Sequence, residues 1–103
     1  MKITWHLNWN WRDLFAGQVA WIRHSDLNLL TVGNGTYTKD ARFAASVPTS
    51  GDSWSLQIRN VQLKDQGVYE CQIGITPHIS HFIHLSVVGE FSAQWTERLK
   101  LAS

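Results

Sequence analysis

The chain has 103 residues and a formal net charge of +1, from 9 Lys plus Arg against 8 Asp plus Glu, with no block of like charge. That length is one domain with a modest core, not two, and the even charge excludes the footprint of a nucleic-acid or anionic-membrane binder. Six Trp, four Phe and two Tyr require heavy aromatic burial, an aromatic surface that a partner covers, or both.

Residues Met1 to Gly17 carry Trp5, Trp9 and Trp11 at one parity, so a strand through Thr4 to Trp11 would put all three on one face. Arg12 to Gly17 reads equally as a short helical turn closed by glycine. Gln18 to Arg23 is a strand-length apolar run broken by His24-Ser25-Asp26. Leu27 to Val32 is a second run, closed by Gly33-Asn34-Gly35, and Thr36-Tyr37-Thr38 reads as a short strand after that turn. Arg42 to Val47 alternates weakly, Pro48 to Asp52 is a loop, and Trp54 to Ile58 alternates with period two. Val68 to Ile75 and Ile79 or His81 to Val88 are the last strands. Phe91 to Ser103 is read as a tail: its apolar spacing around Trp95, Leu99 and Leu101 suits one helical turn or two, but no convincing cap starts them. Turn-separated strands with no interleaved helices predict an all-β sandwich.

The stretch Lys64-Asp65-Gln66-Gly67-Val68-Tyr69-Glu70-Cys71 has the D-x-G-x-Y-x-C spacing of the bend and strand F of an immunoglobulin sandwich. Trp21 and Cys71 stand fifty positions apart, as the strand C tryptophan and strand F cysteine of that fold do. Tyr69 takes the tyrosine-corner place, and Arg42 is the expected ion-pair partner of Asp65. These are architecture, not activity. Cys71 is the single cysteine and cannot form an internal disulfide, so it is either a small buried core thiol or one whose partner is missing from this chain.

A family resemblance rests on Val19 to Leu27, Leu30-Thr31-Val32-Gly33, Thr36-Tyr37-Thr38, Asp40-Ala41-Arg42-Phe43, Trp54 to Ile58 and Tyr69-Glu70-Cys71-Gln72-Ile73 through Thr76-Pro77-His78-Ile79-Ser80. Together these resemble the first immunoglobulin domain of the defective proboscis extension response (Dpr) family of insect neuronal surface proteins. The resemblance runs from about Gln18 to Val88, which implies a variable-type sandwich over 18–88, a divergent segment over 1–17 and a C-terminal tail over 89–103. The family places its first cysteine near Trp9, and Leu7 to Trp11 contain none. Regular strands A and B are therefore expected to be missing or replaced, as in a truncated or alternatively spliced product or a gene-model error.

The resemblance implies adhesion at the cell surface or in secreted form. The sheet of strands G, F, C, C' and C'' would pair with Dpr-interacting proteins in synaptic matching, with self-pairing as the alternative. This chain shows no signal peptide, and no run approaches the roughly 18 apolar residues of a membrane span. With Trp21, Tyr69 and Cys71 inward, alternation turns Ala20, Ile22, His24, Glu70, Gln72 and Gly74 outward. Leu27, Leu29 and Thr31 on strand C', and Phe82 and His84 on strand G, are assigned outward with them. The set has an apolar centre and a polar rim, as an interface does. A bulge would instead turn one or two of these residues inward.

Asn34-Gly35-Thr36 is an N-x-T glycosylation acceptor in a turn. His78, His81 and His84, with His24, suggest a metal site, but His81 and His84 face opposite sides of one strand and no acidic or thiol ligand completes a tetrahedron. No metal, cofactor or catalytic residue is expected: the chain lacks a G-x-S-x-G elbow and a phosphate-binding glycine loop, and Cys71 is placed between the sheets. The competing reading from a different class is a non-adhesive by-product, marginally stable without its disulfide.

Overall fold

The computed structural model describes residues 2–8, 19–33, 35–46, 53–73, 79–89 and 92–98. Among these the strands are β1 (Ile3–Asn8), β2 (Val19–Arg23), β3 (Asn28–Val32), β4 (Gly35–Thr36), β5 (Phe43–Ser46), β6 (Ser53–Ile58), β7 (Gly67–Ile73), β8 (Ile79–Val88) and β9 (Ser92–Arg98). They form a three-stranded sheet in the order β1-β6-β5 and a six-stranded sheet in the order β4-β3-β2-β7-β8-β9. All neighbours are antiparallel. The fold is an all-β immunoglobulin sandwich of variable type.

Period-two alternation sets the core. In β7, Tyr69, Cys71 and Ile73 are buried, and in β8 Ile83, Leu85 and Val87 are their counterparts on the same face. Opposite them, β6 turns Trp54, Leu56 and Ile58 inward and β5 contributes Phe43. Trp21 is fully buried and registers with Cys71, so the two central strands meet at the middle of the core. Each such fully buried apolar side chain contributes about 1.5–3 kcal/mol.

The bend into β7 follows from its residues. Leu63–Asp65 is a single 3-10 turn in which the Asp65 carboxylate accepts from the Gln62 backbone N–H at 2.7 Å. Gly67 then opens β7 at φ +139°, a backbone value that side chains other than glycine rarely adopt. Tyr69 Oη donates to the Asp65 carbonyl at 2.6 Å, the tyrosine corner of this fold. Arg42, immediately before β5, reaches across with Nη1 2.7 Å from Asp65 Oδ2 and Nη2 2.8 Å from Oδ1. Arg42 also holds Asp40 and donates to the Asn60 carbonyl, so one guanidinium ties three segments together.

Three expectations are corrected. The first concerns strand B, expected with strand A to be missing or replaced: β1 is a regular six-residue strand, paired along its length with β6 in the place of strand B. Its Ile3 and Trp5, two apart, pack against the core, which is why an apolar alternation suffices without a cysteine. Trp9, Trp11 and the helical turn read at Arg12 to Gly17 lie outside the described residues.

The second concerns the tail. Residues 92–98, read as part of a tail, form β9 on the free edge of β8, with Gly89 at φ +71° in the turn between them. Ala93 and Trp95 pack against the core while Ser92, Gln94 and Thr96 are exposed, a strand period that Leu99 and Leu101 had obscured as helical. Trp95 meets Tyr69 edge-on at 5.2 Å and Trp5 at 6.4 Å between ring centroids, so β9 and β1 close the same end of the core. The third correction is small: only Gly35–Thr36 continues the sheet, because the Tyr37 and Thr38 N–H groups both turn back to the Leu30 carbonyl.

Candidate functional site

The outer face of the six-stranded sheet carries the candidate site. One cross-strand row runs Leu29, Ile22, Glu70, Phe82 over β3, β2, β7 and β8, each registered with the next. A second row runs Val32, Ala20, Gln72, Ser80. The strand order puts the boundary between β2 and β7 at the middle of the sheet, so Ile22 and Glu70 are its centre.

Glu70 is the polar hub. Its Oε1 lies 2.7 Å from His24 Nε2, and Gln72 Nε2 donates to Oε2 at 3.0 Å. Only 8% of Glu70 is exposed, yet no Lys or Arg is among these partners. Burial pushes its carboxyl up, but hydrogen bonds from Ser80, Gln72 and His24 outweigh that and hold it below the ordinary glutamate value. The His24 ring stands edge-on to Phe82 at 5.5 Å, so the histidine bridges the central carboxylate and the apolar flank.

The β2–β3 turn is built by Asp26. Arg23 Nε and Nη2 donate to its two carboxylate oxygens at 3.1 and 2.9 Å, and the Asn28 backbone N–H donates to Oδ1 at 3.2 Å. The side-chain hydrogen bond from Arg23 holds Asp26 below its ordinary value. The turn leaves Leu27 at φ +51° and 73% exposed, an apolar side chain in a backbone region costly for leucine. Leu29 is 38% exposed at the rim of the row.

Of the residues assigned to the outer face, Ala20, Ile22, His24, Gln72, Phe82 and His84 are half-buried and share that face with Glu70 and Leu29. Thr31 is corrected: it is fully buried and registers with Trp21 on the core side. The cause is a bulge. Pairing steps from Trp21↔Thr31 to Ile22↔Leu29, so Leu30 is the extra residue, and Leu30 and Thr31 both turn inward. Sequence reasoning missed Val32, which the same bulge places beside Ala20; parity alone had no means of finding it.

Gly74 and Asn34 lie outside the described residues, as does His78; Thr36, the hydroxyl residue of the acceptor triplet, is exposed on β4. His81 registers with Cys71 on the core side and His84 with Val68 on the outer side, and among the described residues no three His, Cys, Asp or Glu groups gather for a metal. Among the described residues no helix is long and apolar enough to cross a membrane.

The family model of the immunoglobulin V-set domain matches residues 8–88. In sequence, the chain is 37% identical over 71 residues to "Zwei Ig domain protein zig-8" of Caenorhabditis elegans, covering 69% of this chain and 26% of that protein. The chain thus spans about a quarter of the length of that relative. Among solved structures, the first immunoglobulin domain of Dpr1, bound to that of DIP-eta, is 38% identical with a TM-score of 0.68, over 80% of this chain and 76% of that one. The ZIG-8 first-domain homodimer gives 32% identity and a TM-score of 0.72, over 84% and 71%. With four-fifths of its length matched by the family model and both sheets in place, the chain belongs to the immunoglobulin V-set family.

Proposed function

We propose that this domain is a cell-surface recognition module of the Dpr type, pairing through the outer face of β3, β2, β7 and β8 with an immunoglobulin-superfamily partner in neuronal matching. One observation carries the reading: Leu29, Ile22 and Phe82 are the apolar positions of one cross-strand row, interrupted at Glu70, across a sheet face that has no second layer among the described residues, with Leu27 exposed beside it. A lone domain gains nothing by leaving such a row to water, whereas an interface uses it as a centre with a polar rim. The rim here is His24, Gln72, Ser80 and His84. Dpr1 with DIP-eta and the ZIG-8 homodimer support a partner of the same fold, of another chain or of the same one.

The reading places the domain outside the cell, where Asn34 would accept a glycan and no catalytic group, metal or cofactor is needed. Its test is a panel of purified Dpr-interacting-type first domains captured on a sensor surface. Wild type should bind at least one, and Ile22→Asp and Leu29→Asp should each weaken that binding by at least about thirtyfold, about 2 kcal/mol, because each buries a charge without a partner. No binding across the panel, or binding indifferent to both substitutions, would overturn it.

A further inference from the structure

The centre of the proposed interface is not neutral. On the central strands β2 and β7, Glu70 is the one Asp, Glu, Lys or Arg among Ala20, Ile22, Glu70 and Gln72, with Ile22 and Phe82 on either side of it in the row; His24 contacts it, and the row reaches a cationic position only at Arg98 on the edge strand β9, two strands away. The ties of Glu70 to His24 and Gln72 hold the carboxylate at the centre of the face.

A second copy of the chain would meet this carboxylate badly. Face-to-face pairing of identical domains is isologous, with its two-fold axis inside the shared patch. With the axis midway between Ile22 and Glu70, the two Glu70 positions lie within about one strand spacing of each other laterally, about 4.8 Å. Depending on the axis direction, each carboxylate faces either its own copy or Ile22 of the copy. The first sets like charges together and the second desolvates a charge against an aliphatic chain; neither sets a Lys or Arg opposite Glu70.

Resting on the reading of this face as the interface, we propose that Glu70 selects a partner whose apolar face carries one Lys or Arg at its centre, and rejects a second copy of this chain. The carboxylate acts as a selectivity gate. The surrounding apolar row provides contact area common to many partners, whereas the buried charge rewards only the face that brings a cation to it.

A charge-swapped copy serves as the defined probe. The full chain is prepared as wild type, Glu70→Lys and Glu70→Gln, each checked by near-ultraviolet circular dichroism, and association is measured by sedimentation at pH 7.4. Wild type mixed with Glu70→Lys should form a mixed dimer at least about tenfold tighter than wild type with itself. Glu70→Gln, which keeps the shape and removes the charge, should self-associate at least about tenfold more tightly than wild type, and it decides the matter alone if the lysine variant does not fold.

Adding Ile22→Asp separates the two layers of the argument. If wild type self-associates as tightly as Glu70→Gln, or the mixture shows no gain, the selectivity proposal is overturned. If Ile22→Asp abolishes association in that same experiment, the face remains the interface and only the role of Glu70 falls. If association survives Ile22→Asp, it uses another surface and both fall.

Discussion

Arg42 grips Asp65 at two points, 2.7 and 2.8 Å, across 23 positions of sequence, and the Asp65 side chain is almost wholly buried. The pair clamps the start of β5 to the turn that launches β7. Breaking one partner strands a buried charge, so Arg42→Ala should lower unfolding stability by about 3–5 kcal/mol in urea titrations. A loss below about 1 kcal/mol would place the clamp among ordinary surface pairs.

The same carboxylate makes stability depend on acid. Burial pushes the Asp65 carboxyl up, but Arg42 and the Gln62 N–H outweigh it and hold the folded value below the ordinary 3.8. A folded value lower than the unfolded one means the contribution is complete above pH 3.8 and lost as pH falls below it. Urea midpoints followed downward from pH 5 should therefore drop in wild type, and drop less in Asp65→Asn, which starts lower but has no proton to take up there.

Tyr69 is pushed up to about 12, first by burial and then by the nearby Asp65 charge. In the native protein its phenol should stay protonated in an ultraviolet titration well past pH 10, the ordinary tyrosine value. Tyr69→Phe leaves the Asp65 carbonyl without its donor and should cost about 1–3 kcal/mol.

Leu27 separates strain from recognition. At φ +51° and 73% exposed it contributes no core packing, so Leu27→Asn, which tolerates that backbone, should raise stability by about 0.5 kcal/mol or more. Under the proposed function the same change should weaken partner binding. A variant that binds as well as wild type would remove Leu27 from the interface.

Trp95 tests whether β9 belongs to the domain. Its ring packs on Tyr69 and close to Trp5, so Trp95→Ala should cost about 3 kcal/mol and speed amide hydrogen exchange along β8 and β9 before it does so along β7. Uniform exchange across all three strands would show that β9 adds nothing local.

What the sequence alone determined is what alternation and short spacing determine. Tyr69 and Cys71 share a face because they are two apart, the D-x-G-x-Y run makes its own turn, and Ala20, Ile22 and Gln72 follow by parity from Trp21 and Cys71. What only the tertiary structure decided was long-range. The pairing of β1 with β6 joins residues about fifty positions apart, and without a cysteine on β1 no local marker announced it. The bulge at Leu30 arises in how β3 fits against β2, and it carried Thr31 into the core and Val32 onto the outer face. Whether Trp95 belonged to a helix or a strand was settled by the open edge of β8 and the aromatic space beside Tyr69. The central place of Glu70 is of the same kind, for alternation turns a carboxylate outward, but only strand order makes it the middle of a face.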